Sequence, residues 1–237
     1  MKRNDRRHCA LFRRRMNDVS RWLRKLFKIV DKNIIYNIFM QIHTIGDSHS
    51  GNGWDQKIQH WLGPILCYSF GKEKLDRCDI RNFDIKDGDT IVFCFGEIDC
   101  RCHVHKHITE STTYRDIIDD IVANYFEAIK LNITMLSEIK LNKVCVYNVV
   151  PTVKKENKYE SLEFPYLGTD EERKTYVLYF NKKLKEKCAE YGYVFFDVYD
   201  KYIDVDGFLN EELSDGNVHI RDGVHIREFI SEYLLQG

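Results

Sequence analysis

The amino-acid sequence predicts an α/β protein, a three-layer α/β/α sandwich with about five parallel strands. Two observations carry this. Short apolar runs recur along the chain at 40–45, 64–70, 90–95, 143–150 and 193–198. Between them lie stretches with the three-to-four-residue periodicity of amphipathic helices. Strands separated by helices imply a parallel sheet covered on both faces.

Each element has its own signal. The first run ends in Gly46, a turn residue, and the second opens on Pro64. The runs at 90–95 and 143–150 enclose Cys94 and Cys145 among apolar neighbours. One long stripe, from Ile117 through Ile121, Tyr125 and Ile129 to Ile139, predicts a helix of about six turns. Thr169 followed by Glu172 is a capping box, in which each side chain satisfies a backbone N–H that the helix start leaves without a partner. That helix runs to about Tyr191, where Gly192 stops it, and a last amphipathic helix follows residues 222–225. No internal repeat or low-complexity tract interrupts the pattern.

The 237 residues fit one domain over 40–237 and a basic N-terminal extension over 1–39. A 43% apolar fraction supplies a core, and 31% charged residues keep the surface solvated. The net charge of −1 hides an uneven distribution. Eleven basic residues through Lys28 face only Asp5 and Asp18, a net of +9, so the remainder totals −10. That acidic remainder argues against a domain that tracks nucleic-acid phosphates. Within the extension, Trp22, Leu23, Leu26, Phe27 and Val30 fall near helical spacing among basic residues. The expectation is a solvated tail or packed helix, with contact to a membrane surface or partner protein as the sharper alternative. Eight cysteines show no disulfide spacing, no run reaches the ~20 residues of a membrane span, and the start lacks an apolar signal core. A cytoplasmic setting is expected.

The chemistry concentrates in Gly46-Asp47-Ser48-His49 and in two late segments, Asp215-Gly216-Asn217-Val218-His219 and Asp222-Gly223-Val224-His225. A serine hydroxyl stays protonated at neutral pH. It becomes a nucleophile when a histidine takes its proton and a carboxylate holds that histidine in the right tautomer. Ser48 at a strand end, with its base on a late loop, is how open α/β sheets build hydrolytic sites. Asp47 reads as a brace for the turn. The Ser48 and Gly63 amides are candidates for an oxyanion hole, with Pro64 fixing the backbone beside Gly63. Cys100, Cys102, His103, His105 and His107 put five possible metal ligands within eight residues, yet no second cluster accompanies them. The expectation there is a loop beside the site, with no metal and no cofactor. Glu97 and Asp99 read as bracing that loop.

These residues resemble the SGNH (GDSL-like) serine hydrolases, whose blocks are Gly-Asp-Ser, a glycine, Gly-x-Asn-Asp and Asp-x-x-His. Here the blocks fall, in order, at 46–48, Gly63, Gly96-Glu97-Ile98-Asp99 and 222–225. The third block, continuing as Cys100-Arg101, also resembles a subgroup found near sugar-processing genes. The resemblance implies a flavodoxin-like sandwich and a catalytic set of Ser48, His225 and Asp222, with His219 second in rank. It also implies an oxyanion hole at Ser48 and Gly63. The asparagine that the third block normally supplies is Ile98 here, and Arg101 is the nearest substitute donor. The implied activity is hydrolysis of a small acyl ester, such as acetyl, on a carbohydrate. An acyltransferase using the same site and a non-catalytic carbohydrate-binding domain are the alternatives.

Overall fold

Among the described residues, five strands form a single sheet. They are β1 (Ile42–Gly46), β2 (Ile58–Trp61), β3 (Thr90–Cys94), β4 (Lys143–Tyr147) and β5 (Val194–Phe196). The order is β2-β1-β3-β4-β5 and every pair is parallel, with Gly46 opposite Cys94 on one side and Trp61 on the other. The chain thus runs outward from β1 to β2, then returns to place β3 on the other flank of β1. That reversal opens a crevice at the carboxyl ends of β1 and β3, where open α/β sheets hold their ligands.

The structure is a computed structural model that describes residues 40–55, 57–156 and 162–234. The basic extension expected over 1–39 lies outside the described residues. Gln41–Gln236 forms one compact unit. Among the described residues, no helix is long and apolar enough to cross a membrane.

Among the described residues, the longer α-helices flank the sheet: α1 (Cys67–Glu73), α2 (Tyr114–Met135), α3 (Asp170–Tyr191) and α4 (Val224–Phe229). The α2 stripe buries Ile118, Ile121, Val122, Tyr125, Phe126 and Ile129. Each such large side chain contributes roughly 1.5–3 kcal/mol as an upper bound. Capping boxes open both long helices, Thr113 with Asp116 and Thr169 with Glu172. Phe70 of α1, Tyr125 of α2 and Phe180 of α3 join Ile45, Phe93 and Val146 of the sheet in one core. The opposite face is closed by Trp54, edge-on to Tyr147 and Phe196, and by Phe229 of α4 stacked 4.0 Å from Phe196.

One expected strand is absent. The run at 64–70 joins no strand pair; its second half is α1, and the strand lies earlier, at Ile58–Trp61. Short apolar runs serve strand or helix equally, and here Cys67, Phe70 and Gly71 are buried at helical spacing. The Asp99 carboxylate decides the matter by accepting the Cys67 and Tyr68 amides, at 2.6 and 3.0 Å, which a helix start leaves without partners.

Candidate active site

Ser48 begins a short 3-10 turn, Ser48–Ser50, at the carboxyl end of β1. The turn needs Gly46, because a Cβ there would stand 1.9 Å from the Cys94 carbonyl oxygen of β3. Asp47 is buried and braces the turn, its Oδ1 accepting the His49 amide at 2.8 Å. Ser48 is half-buried, open to the crevice.

The histidine on Ser48 is His219. Its Nε2 lies 2.8 Å from Ser48 Oγ, and its Nδ1 lies 2.7 Å from Asp215 Oδ2. The turn from Ser214 to Ile220 creates this pairing. Its ends meet in an antiparallel bridge, and the Asp215 amide donates to the His219 carbonyl at 3.0 Å, so residues four apart face each other. Asp215 Oδ1 accepts the Asn217 and His219 amides, at 2.8 and 3.3 Å. Partial burial pushes the Asp215 carboxyl up, but the hydrogen bond from His219, the Asn217 amide and the charge of His219 outweigh it, and the net shift is downward. An ionised carboxylate accepts only, so the His219 proton sits on Nδ1 and Nε2 is bare to accept from the Ser48 hydroxyl.

Asp222 and His225 are engaged elsewhere, which corrects the expected pairing. Asp222 Oδ1 accepts the Val224 amide at 3.0 Å at the start of α4 and lies 3.5 Å from Arg227 Nη2. His225 is on α4 itself, donating from Nδ1 to Glu228 at 2.7 Å, with its ring edge-on to Tyr202. The Tyr202 hydroxyl also donates to the Asp222 carbonyl at 2.8 Å. Both side chains therefore secure α4, and the aspartate-to-histidine spacing of three belongs to a helix start.

Two N–H groups are free to meet an oxyanion. Neither the Ser48 nor the Gly63 amide donates a hydrogen bond among the described residues. Gly63 holds φ +92°, a left-handed conformation that a side chain disfavours. Ile98 is buried and offers no side-chain donor. Arg101 is taken up by its neighbours. Its Nε is 3.1 Å from Glu97 Oε1 and its guanidinium lies over the Tyr166 ring at 5.4 Å. Tyr166 in turn donates from its hydroxyl to Asn217 Oδ1 at 3.1 Å, and so reaches the turn that carries Asp215 and His219.

Asp99, wholly buried between α1 and the segment after β3, has its carboxyl raised to about 7, chiefly by burial and against the pull of the Tyr68 and Cys67 amides. The histidines after it are dispersed: His103 packs on Tyr68 and His107, and His105 meets the Tyr176 hydroxyl at 3.2 Å. Among the described residues, no three His, Cys, Asp or Glu side chains are grouped to hold a metal ion. The seven described cysteines are buried and free.

The arrangement is an open parallel α/β sheet carrying a serine–histidine–aspartate chain at its β1/β3 crevice. No family model and no curated protein matches the sequence. Solved structures do match. The chain is 16% identical to a candidate acylhydrolase from Bacteroides fragilis, over 83% of this chain and 84% of that one, with a TM-score of 0.53. It is 15% identical to a GDSL-like lipase from Bacteroides thetaiotaomicron, over 83% and 87%, also with a TM-score of 0.53. The fold is the α/β fold of GDSL-like hydrolases.

Proposed function

We propose that this protein is a serine-dependent ester hydrolase. The observation that carries the reading is the unbroken chain Asp215–His219–Ser48, at 2.7 and 2.8 Å. In the mechanism, Ser48 Oγ attacks an acyl carbonyl as His219 Nε2 takes its proton. Asp215 keeps the imidazole in the required tautomer and stabilises the imidazolium that forms. The Ser48 and Gly63 amides receive the oxyanion. His219 then gives its proton to the leaving alkoxide, and the acyl group stays on Ser48. A water activated by His219 attacks that ester, and collapse of the second tetrahedral species restores Ser48.

We read the substrate as a small acyl ester, such as an acetyl group, on a carbohydrate. The sequence resemblance suggests it, and Trp61 supports it. This indole is 62% exposed at the end of β2, beside Gly46 in the sheet register and two residues before Gly63. A flat, exposed aromatic at the rim of the oxyanion loop is suited to lie against the apolar face of a sugar ring. Hydrolysis is favoured over transfer to another acceptor because the His219 and Asp215 side chains are 21% and 36% exposed, leaving the base open to water. Ser48→Ala should abolish hydrolysis of a short-chain aryl acetate while leaving the thermal unfolding transition in place. Turnover retained by a folded Ser48→Ala protein would reject the serine mechanism.

A further inference from the structure

His49, the residue after the nucleophile, is 5% exposed, and both of its ring nitrogens face acceptors. Nδ1 lies 3.0 Å from Asp47 Oδ1, and Nε2 lies 3.2 Å from the carbonyl oxygen of Val218, the residue before His219. A carbonyl oxygen cannot donate, nor can an ionised carboxylate, so both bonds form only when His49 carries both protons. The His49 carbonyl is itself held by Trp54 Nε1 at 2.9 Å, which fixes the turn from the opposite face. Two rungs therefore run side by side across the crevice, Ser48 to His219 and His49 to Val218.

We propose that His49 is the positioning residue of this site, a buried imidazolium that ties the nucleophile's turn to Val218 and so sets His219 over Ser48. The proposal rests on the serine mechanism above. The groups that face His49 agree with a charged ring. Asp47 meets it from its own turn and Glu97 acts on it from the segment after β3. From the turn 214–220 come the Val218 carbonyl and the His219 ring, its centroid 5.0 Å away, with Asp215 behind His219. Burial alone would lower the His49 pKa. The charge and hydrogen bond of Asp47, the charge of Glu97 and the Val218 carbonyl together overcome it, raising the pKa to about 8.

The folded-state pKa of His49 thus lies above the 6.5 of an ordinary imidazole. The strap is complete below that value and is lost as pH rises through about 8. A neutral imidazole has one N–H and keeps one of the two bonds, leaving a lone pair against the other acceptor.

The test compares His49→Phe, which keeps an aromatic ring without donors, with His49→Gln, whose amide reaches toward the Val218 carbonyl without a titrating group. With a short-chain aryl acetate at neutral pH, His49→Phe should lose about tenfold or more in kcat with little change in KM, the scale of a misaligned base. His49→Gln should recover most of that loss, and its kcat should lack the alkaline decline expected of the wild type through about pH 8. The 15N shifts of His49 in the wild type should report a doubly protonated ring at pH 7. A wild-type kcat in His49→Phe, a neutral His49 at pH 7, or an alkaline limb unchanged in His49→Gln would each overturn the proposal. Should His49→Phe fail to fold, the nitrogen shifts and the His49→Gln profile still decide. The serine mechanism is judged separately by the Ser48→Ala control, so its failure is distinguishable from that of His49.

Discussion

Replacing Asp215 by asparagine tests the hydrogen-bond chain by inverting one proton. Oδ1 of Asp215 is held by two backbone amides, from Asn217 and His219, which require an acceptor. An asparagine must therefore direct its carbonyl oxygen to those amides and its NH2 group toward His219 Nδ1. That forces the proton of His219 onto Nε2, where it faces the Ser48 hydroxyl and cannot accept from it. Such a tautomer inversion in a buried triad costs roughly 10,000-fold in kcat. Because the Asp215 side chain is 36% exposed, water competes for Nδ1 and restores the productive tautomer in part. The expected loss is about 1,000-fold, or about 4 kcal/mol at roughly 1.36 kcal/mol per tenfold. Steady-state hydrolysis of a short-chain aryl acetate gives kcat, and a thermal melt shows that the fold persists. Asp222→Asn serves as the comparison and should leave kcat close to wild type, since Asp222 caps α4. A kcat for Asp215→Asn within tenfold of wild type, or a larger loss in Asp222→Asn, would refute the reasoning.

Three further outcomes follow from the same geometry. Asp99→Ala leaves the Cys67 and Tyr68 amides without their acceptor. At ~1–3 kcal/mol for each buried orphan, it should lower stability by about 2–6 kcal/mol in denaturant melts; an unchanged midpoint would mean α1 is held otherwise. Arg101→Ala removes the partner of Glu97 and the cover of Tyr166, and should lower the melting temperature with far less than the ~100-fold kcat loss of a missing oxyanion donor. A selective collapse of kcat would restore Arg101 to the oxyanion hole. Trp61→Ala should raise KM for an acetylated sugar and leave hydrolysis of a small aryl acetate unaltered; equal KM values for the sugar in both proteins would remove Trp61 from substrate binding.

Much of the architecture was legible because its signals are local. The α2 stripe and the Thr169–Glu172 box mark single helices, and both helices form there, although α2 stops at Met135, short of the Ile139 that the stripe reaches. β2 was hidden because it is an edge strand with Ile58 and Trp61 exposed at 37% and 62%, so it has no buried face to print a period on the sequence. The apolar run after it has the composition of a strand, although Asp99, 32 residues from Cys67, caps it as a helix. The same contrast governs the site. Ser48 and Gly63 are legible from glycine turns beside strands, whereas the partner of Ser48 depends on how a loop closes. Asp222-x-x-His225 has a motif's spacing, but three residues on the start of a helix bring histidine to Glu228 and aspartate to the helix amides. The signal for His219 was present in Asp215-Gly216-Asn217, a turn sequence between Leu213 and Val218 that folds its ends together. The role of His49 is not legible in the sequence, because one of its two partners is a backbone carbonyl 169 residues away.

The central claim is that His219, and not His225, activates Ser48. Labelling with a fluorophosphonate, followed by mapping of the modified residue, tests it without knowledge of the substrate. Modification is expected at Ser48 in the wild type and in His225→Ala, at similar rates, and none on the same timescale in a folded His219→Ala protein. Labelling that survives in His219→Ala and vanishes in His225→Ala would contradict it.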